Sequence, residues 1–182
     1  MLADRADEVI PVFNLEWAER NNWWSLLLAL RGLPAGEAVA VLNGDLLIAP
    51  ELVASFLRDA AVTEVDGLLA VDLERELTGE SMKVERGPDG TLARIGKVGL
   101  SDGVGEYPGL LMARGPVVEA LRAVLEGFVG RPDRTDEWYE GAVGATAADG
   151  HLWHLWPMPA GGWVEIDDDA DLHAAHELAA SA

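Results

Sequence analysis
The chain has 182 residues, 49% of them hydrophobic, which suits one domain spanning residues 1–182 with a substantial core. Its 32 acidic residues against 13 basic ones give a formal charge of −19, a field that repels nucleic acid and anionic membrane surfaces, so neither is expected as a partner. The absence of cysteine excludes disulfides and thiolate metal sites. The start MLADRADEV lacks the basic-then-apolar character of a signal segment, and the apolar run at 23–30 is too short to cross a bilayer, which together predict a cytoplasmic protein.

In chain order, residues 9–13 read as a short strand closed by Asn14, and 16–20 as a loop or helical turn. Asn21 or Asn22 is placed to cap a helix through Ser25 and Leu30 that ends at Gly32 and Pro34. That helix is apolar on nearly every side and should be buried between layers. Residues 39–48 read as a buried strand with a Gly-Asp turn that delivers Asp45 to a sheet edge. A strand, a helix and a strand in this order imply a right-handed crossover and a parallel sheet.

A helix over 50–58 and a strand over 66–71 follow, then a hairpin in which residues 82–86 and 91–98 flank the turn GPDG. Lys97 ends that hairpin. Lys83 and Lys97 are the only lysines of the chain, so a phosphate-binding ammonium has few other candidates, although a strand-end lysine is as readily a solvated one. The loop GEYPG at 105–109 leads into a strand over 110–113, and Pro116 opens a helix to 125.

Residues 137–146 read as a helix carrying Trp138, Tyr139 and Glu140 in its first turn, and 151–156 as a strand. A last strand over 163–166 ends at Asp167, and a helix over 170–179 closes the chain, with Asp168 or Asp169 as its N-cap.

Two strand-end aspartates far apart in sequence, Asp45 and Asp167, can converge on one divalent cation suited to a phosphate-bearing substrate. Either alone reads more simply as a turn or cap residue. Trp138, Tyr139 and Trp156 with Glu140 could form an aromatic, acidic box for an ammonium group, and the competing reading is that these rings fill the core. The four histidines show no ligand pattern and carry no assignment.

Asn14, Asn21, Asn22 and Ser25, then Asp45, Lys97, the loop 105–109 and the closing Glu165 to Asp167 form, in order, a pattern that resembles bacterial nucleotidyltransferases of the phosphocholine cytidylyltransferase type, within the sugar-phosphate nucleotidyltransferases. The resemblance implies an α/β fold, a three-layer α/β/α Rossmann-like nucleotidyltransferase domain with a mostly parallel sheet. It also implies a Mg2+-dependent transfer of a nucleotidyl group, CTP being the favoured donor, to a small phosphorylated or phosphonate acceptor with release of pyrophosphate. By that resemblance Asp45 and Asp167 hold the metal, Lys97 lies near the acceptor phosphate, Asn22 and Ser25 lie along the nucleotide, and Glu140 lies on the wall of the acceptor pocket; Glu106 and Tyr107 of the matching loop, with Trp138 and Trp156 of the aromatic box, are the further substrate-binding candidates.

Such families begin with a strand and a Gly-rich, cationic loop that cradles the triphosphate, and no such segment is found in this sequence. Residues 9–13 then match the family's third strand, so the fold is expected to be truncated at its N-terminal side. The exposed sheet edge would need a second chain or a homo-oligomer to cover it. The competing functions are a non-catalytic nucleotidyltransferase-like binding module and a related nucleotide-sugar glycosyltransferase.

Overall fold
The chain is described here from a computed structural model covering residues 9–181; residues 1–8 and 182, which the expected domain includes, lie outside the described residues. Residues 9–14 form no strand, and Ile10 and Phe13 point into solvent. Among the described residues no strand lies beside this stretch to pair it, and Pro11 lacks an amide donor. Asn21 caps α1 (Asn22–Arg31), its side-chain oxygen accepting from the Asn22 N–H. The stretch 39–48 has its expected Gly-Asp turn, which carries Asp45, and forms a strand on either side of it, β1 (Val39–Leu42) and β2 (Leu46–Ile48). α2 (Pro50–Thr63) is longer than expected because apolar positions continue past Arg58, Ala60 being buried.

β3 (Gly67–Asp72) is buried along its whole length. The hairpin forms as β4 (Lys83–Arg86) and β5 (Leu92–Gly96), and β6 (Gly105–Glu106) and β7 (Leu110–Ala113) flank the GEYPG loop. α3 (Gly115–Glu126), a single 3-10 turn at Pro132–Arg134, α4 (Tyr139–Ala148), β8 (His154–Met158), β9 (Trp163–Glu165) and α5 (Asp169–Ser181) complete the chain. The cap of α5 is Asp168, whose carboxylate accepts from the Ala170 and Asp171 N–H groups, so the plain reading holds for that residue.

The main sheet runs β1-β7-β3-β6-β4-β5, and β8 pairs β3 on its other side. β1, β3 and β8 point the same way. β7 inserts in reverse between β1 and β3, so the pairings are antiparallel except β3 with β8, where the sequence predicts mostly parallel pairing. Alternation along the central strands builds two cores. Leu69, Val71, Leu111 and Ala113 face α1, α3 and α4; Leu68, Ala70, Leu110 and Met112 face α2, β2 and β9. The result is the expected three-layer α/β/α arrangement. No helix of the described residues is long and apolar enough to cross a membrane.

β2 and β9 form a separate antiparallel ladder, Leu46 opposite Glu165 and Ile48 opposite Trp163. That ladder is fastened to the main sheet at Trp163. Its indole N–H donates to the buried Asp72 carboxylate at 2.9 Å, the other Asp72 oxygen accepts from the Glu74 and Arg75 N–H groups, and the Arg75 guanidinium stacks 4.2 Å from the Trp163 ring. Replacing Asp72 by alanine leaves three donors without their acceptor. The Asp72→Ala variant is expected to lose about 3 kcal/mol of unfolding free energy in urea titration, and Asp72→Asn, which retains an acceptor, less than half of that.

Candidate functional site
Asp45 sits in the turn before β2, Glu165 ends β9 and Asp167 follows two residues on, so the β2–β9 ladder sets all three at one end of the sheet. The Ile166 N–H donates to the Asp45 carbonyl at 2.9 Å, which extends the ladder to the acidic end. One oxygen from each of the three carboxylates lies within 4.8 Å of the others. Asp45 and Asp167 are exposed, and Glu165 is half-buried between them. Burial, followed by the charges of Asp167 and Asp45, pushes Glu165 above the usual carboxylate range, and Lys97 pulls it back in part. Like charges packed this closely are relieved by a cation, and a few carboxylates with room left for water suit a hard, oxygen-seeking ion such as Mg2+.

The triad opens onto a cavity of about 260 Å³ whose other walls include Asn22, Lys97, Tyr107, Trp138 and Glu140. Among the described residues Lys97 is its only cationic one. Lys97 lies 3.7 Å from the Glu80 carboxylate, with its ammonium 5.0 Å from the centre of the Trp138 ring. The other lysine, Lys83, donates to the Ser81 and Lys97 carbonyls instead. Across the cavity, the Tyr107 and Tyr139 hydroxyls are 2.8 Å apart, Tyr139 donates to Asn43 Oδ1 at 2.8 Å, and Asn22 Oδ1 accepts from the Tyr139 N–H at 2.9 Å.

Gly109 is required for this network. It adopts φ +103°, and a Cβ there would fall 2.5 Å from the Asn43 side chain.

Glu140, one residue beyond Tyr139 in the first turn of α4, is buried, and its Oε2 has no hydrogen-bond partner. Burial pushes its carboxyl up to about 7; its own backbone N–H, Asn22 and Tyr139 offset only part of that. Glu140 lines the cavity, and its unpaired Oε2 is buried behind that wall.

The fold thus brings Asn22, Asp45, Lys97, Tyr107, Trp138, Glu140 and Asp167 to one cavity. Three other residues singled out from the sequence lie elsewhere. Ser25 lines a neighbouring groove, where its hydroxyl accepts from Asn14 Nδ2 at 2.9 Å. Glu106 pairs with Arg75 at 3.4 Å in a small adjoining cavity that shares Lys97, Glu165 and Asp167 with the first.

Trp156 is remote from the site. Its register opposite Ala70 turns the ring to the α2 face, where it packs on Phe56 and donates to Asp59. The aromatic box expected from Trp138, Tyr139 and Trp156 is therefore not assembled, and the Lys97 ammonium lies over the Trp138 ring. Glu165 was not assigned a role from the sequence, although its alternation with Asp167 across Ile166 places both carboxylates on the same side of an extended segment.

Comparison of the sequence with protein-family models and with curated proteins finds no match. Comparison of the fold does. The chain resembles the inositol-1-phosphate CTP transferase from T. maritima, with TM-score 0.70 at 18% identity over 91% of this chain and 64% of that one. It resembles the CTP:phosphocholine cytidylyltransferase from Streptococcus pneumoniae, with TM-score 0.73 at 16% identity over 98% of this chain and 72% of that one. It also resembles a UTP-bound UGPase from Acinetobacter baumannii, with TM-score 0.62 at 12% identity over 89% of this chain and 57% of that one. The chain thus has the α/β fold of the sugar-phosphate nucleotidyltransferases and spans about two thirds of the length of these solved structures.

The raised carboxyl of Glu140 fixes a pH dependence. A folded-state pKa near 7, above the ordinary 4.5, means that the folded chain binds this proton more tightly than the unfolded one; stability from that source is complete below about pH 4.5 and is lost as pH rises through 7. Glu140→Gln keeps a neutral side chain at every pH. In denaturant titrations it is expected to match the wild type near pH 4.5 and to exceed it at pH 8 by up to about 3 kcal/mol.

Proposed function
We propose that the chain carries the metal and acceptor half of a nucleotidyltransferase site, which transfers a nucleotidyl group, cytidylyl favoured, from a nucleoside triphosphate to a small phosphorylated or phosphonate acceptor. The observation that carries this reading is the triad Asp45, Glu165 and Asp167 beside Lys97 at the end of a nucleotidyltransferase-type sheet. An acceptor oxygen attacks the α-phosphorus in line, the bond from that phosphorus to the bridging oxygen breaks, and pyrophosphate leaves. Such a reaction asks the protein mainly for positioning and charge neutralisation. Mg2+, held by the three carboxylates, would neutralise phosphate charge.

Lys97 would hold the acceptor phosphate. Its contacts with Glu80 and the Trp138 ring keep the ammonium at the cavity wall. Glu140, whose carboxyl lines the cavity, would receive the acceptor's opposite end, a hydroxyl or ammonium. Because Lys97 already lies over Trp138, hydrogen bonding to Glu140 is favoured over an aromatic cage as the basis of selectivity.

A second reading is a non-catalytic module that binds nucleotide without turning it over. One observation favours it: the cavity is lined by five carboxylates, Asp45, Glu80, Glu140, Glu165 and Asp167, against one cation, Lys97.

Melting the chain with Mg2+ and each of the four ribonucleoside triphosphates tests the shared part of both readings. A ligand at a hundredfold its Kd adds about 2.7 kcal/mol to the native state, so CTP is expected to raise the melting temperature of the wild type and not of Asp45→Ala. No rise with any nucleotide refutes both. Pyrophosphate release with an acceptor present separates them, and in the catalytic case Lys97→Ala should lower turnover about a hundredfold.

A further inference from the structure
The three carboxylates of the triad are held by different means. Glu165 belongs to β9 and lies opposite Leu46, and the Asp45 carbonyl accepts from the Ile166 N–H, so both residues are tied into the β2–β9 ladder. Asp167 is not. It lies one residue beyond Ile166, in the bend between β9 and α5, and its side chain is exposed. Without a further restraint, repulsion from the two neighbouring carboxylates would turn its oxygen away from them.

That restraint is Asp171. Its Oδ2 accepts from the Asp167 N–H at 3.1 Å and from the Asp168 N–H at 3.2 Å. In return, Oδ1 of Asp168 accepts from the Asp171 N–H at 3.0 Å and from the Ala170 N–H at 2.7 Å. The pair forms a reciprocal capping box, with aspartate at the position where glutamate or glutamine is usual. In the ordinary box the second side chain returns to the N–H of the cap residue; here it reaches one residue further back, to the metal-site candidate Asp167. α5 is 13 residues long and buries Ala175, so the box fastens the end of β9 to a docked helix.

The two aspartates of the box serve different donors. Asp168 satisfies N–H groups of α5 itself, whereas Asp171 satisfies those that precede the helix. Asp171 also lines the small cavity that contains Glu165 and Asp167, yet it is not one of the three converging carboxylates. Its charge is offset by the N–H groups it accepts from and by the start of α5.

We propose that Asp171 is a positioning residue for the metal site: by fixing the backbone of Asp167 it sets the third carboxylate in place for a divalent cation, without touching the ion. The proposal rests on the reading of the triad as a metal site and adds to it the residue that holds one of the ligands.

The test is Mn2+ binding to the whole chain without nucleotide, read by electron paramagnetic resonance as loss of the free-ion signal. Binding at the triad is the part that Asp45→Ala abolishes. Asp171→Ala is expected to weaken it about tenfold, the order of loss that follows removal of a group orienting a metal ligand. Asp171→Asn drops the charge but keeps an acceptor oxygen, and should stay within about threefold of the wild type. Asp168→Ala removes an equal charge and the other half of the box. It should lower the melting temperature by about 2–4 °C, as Asp171→Ala does, and leave Mn2+ affinity within about threefold. In the metal-free chain, amide exchange of Asp167 followed by NMR should quicken about tenfold in Asp171→Ala and not in Asp171→Asn.

If the wild type binds no Mn2+ that Asp45→Ala removes, the metal reading falls and the proposal with it. If the wild type binds and folded Asp171→Ala binds equally well, the proposal alone is overturned. It is also overturned if Asp171→Asn is as weak as Asp171→Ala, because charge and not position would then be acting. Equal weakening by Asp168→Ala overturns it too, since loss of the helix cap would then account for the effect.

Discussion
The structure depends on holding three carboxylates together against their mutual repulsion. Asp45, Glu165 and Asp167 converge only because β2 and β9 pair, and the pairing persists because its inward side chains, Leu46, Ile48 and Trp163, are buried against the α2 face of the main sheet. Trp163 bears most of this load. Burial of its ring, the bond to Asp72 and the stacked Arg75 guanidinium tie β9 to β3, and β9 in turn ends at Glu165, two residues before Asp167. The raised carboxyl of Glu165 is the electrostatic trace of that constraint.

The opposite wall of the cavity is built on different terms. Asn22 from the start of α1, Asn43 from the turn after β1, Tyr107 from the GEYPG loop and Tyr139 from α4 are joined by one chain of hydrogen bonds. Four segments distant in sequence thereby acquire one geometry, and burial of both phenols pushes them well above their ordinary pKa, so the hydroxyls remain neutral donors. Gly109 leaves the space in which Asn43 lies. Next to this satisfied network, Glu140 is left with an oxygen unpaired, a local cost of the kind that buried sites carry when they await a ligand.

Charge ties the site to the free edge of the sheet. Among the described residues the cavity holds one lysine against five carboxylates, and the apolar groove along β1 stops at Gly44, next to Asp45. A phosphate-rich ligand and an acidic cavity are compatible only where cations intervene, whether a metal ion or side chains brought by another segment.

Much of this was legible in the sequence, for local reasons. Asn21 and Gly32 bound α1, the GPDG turn between apolar runs gives the β4–β5 hairpin, and the unbroken apolar run before Asp72 gives a strand buried on both faces. Each depends on neighbours in the chain. Residues 9–13 have strand composition but no strand beside them among the described residues, and β7 turns antiparallel pairing into the dominant pattern by inserting in reverse between β1 and β3.

The site divides in the same way. The residue types and their order, from the asparagines through Asp45 and Lys97 to Glu165 and Asp167, are properties of the sequence. That Glu165 joins the triad, that Trp156 leaves the site for the α2 face, that Lys97 lies over Trp138, and that Glu140 is buried with an unpaired oxygen were decided only by the tertiary structure. The reason is physical: composition and spacing specify which elements form, whereas register and packing between elements far apart in the chain specify which side chains meet.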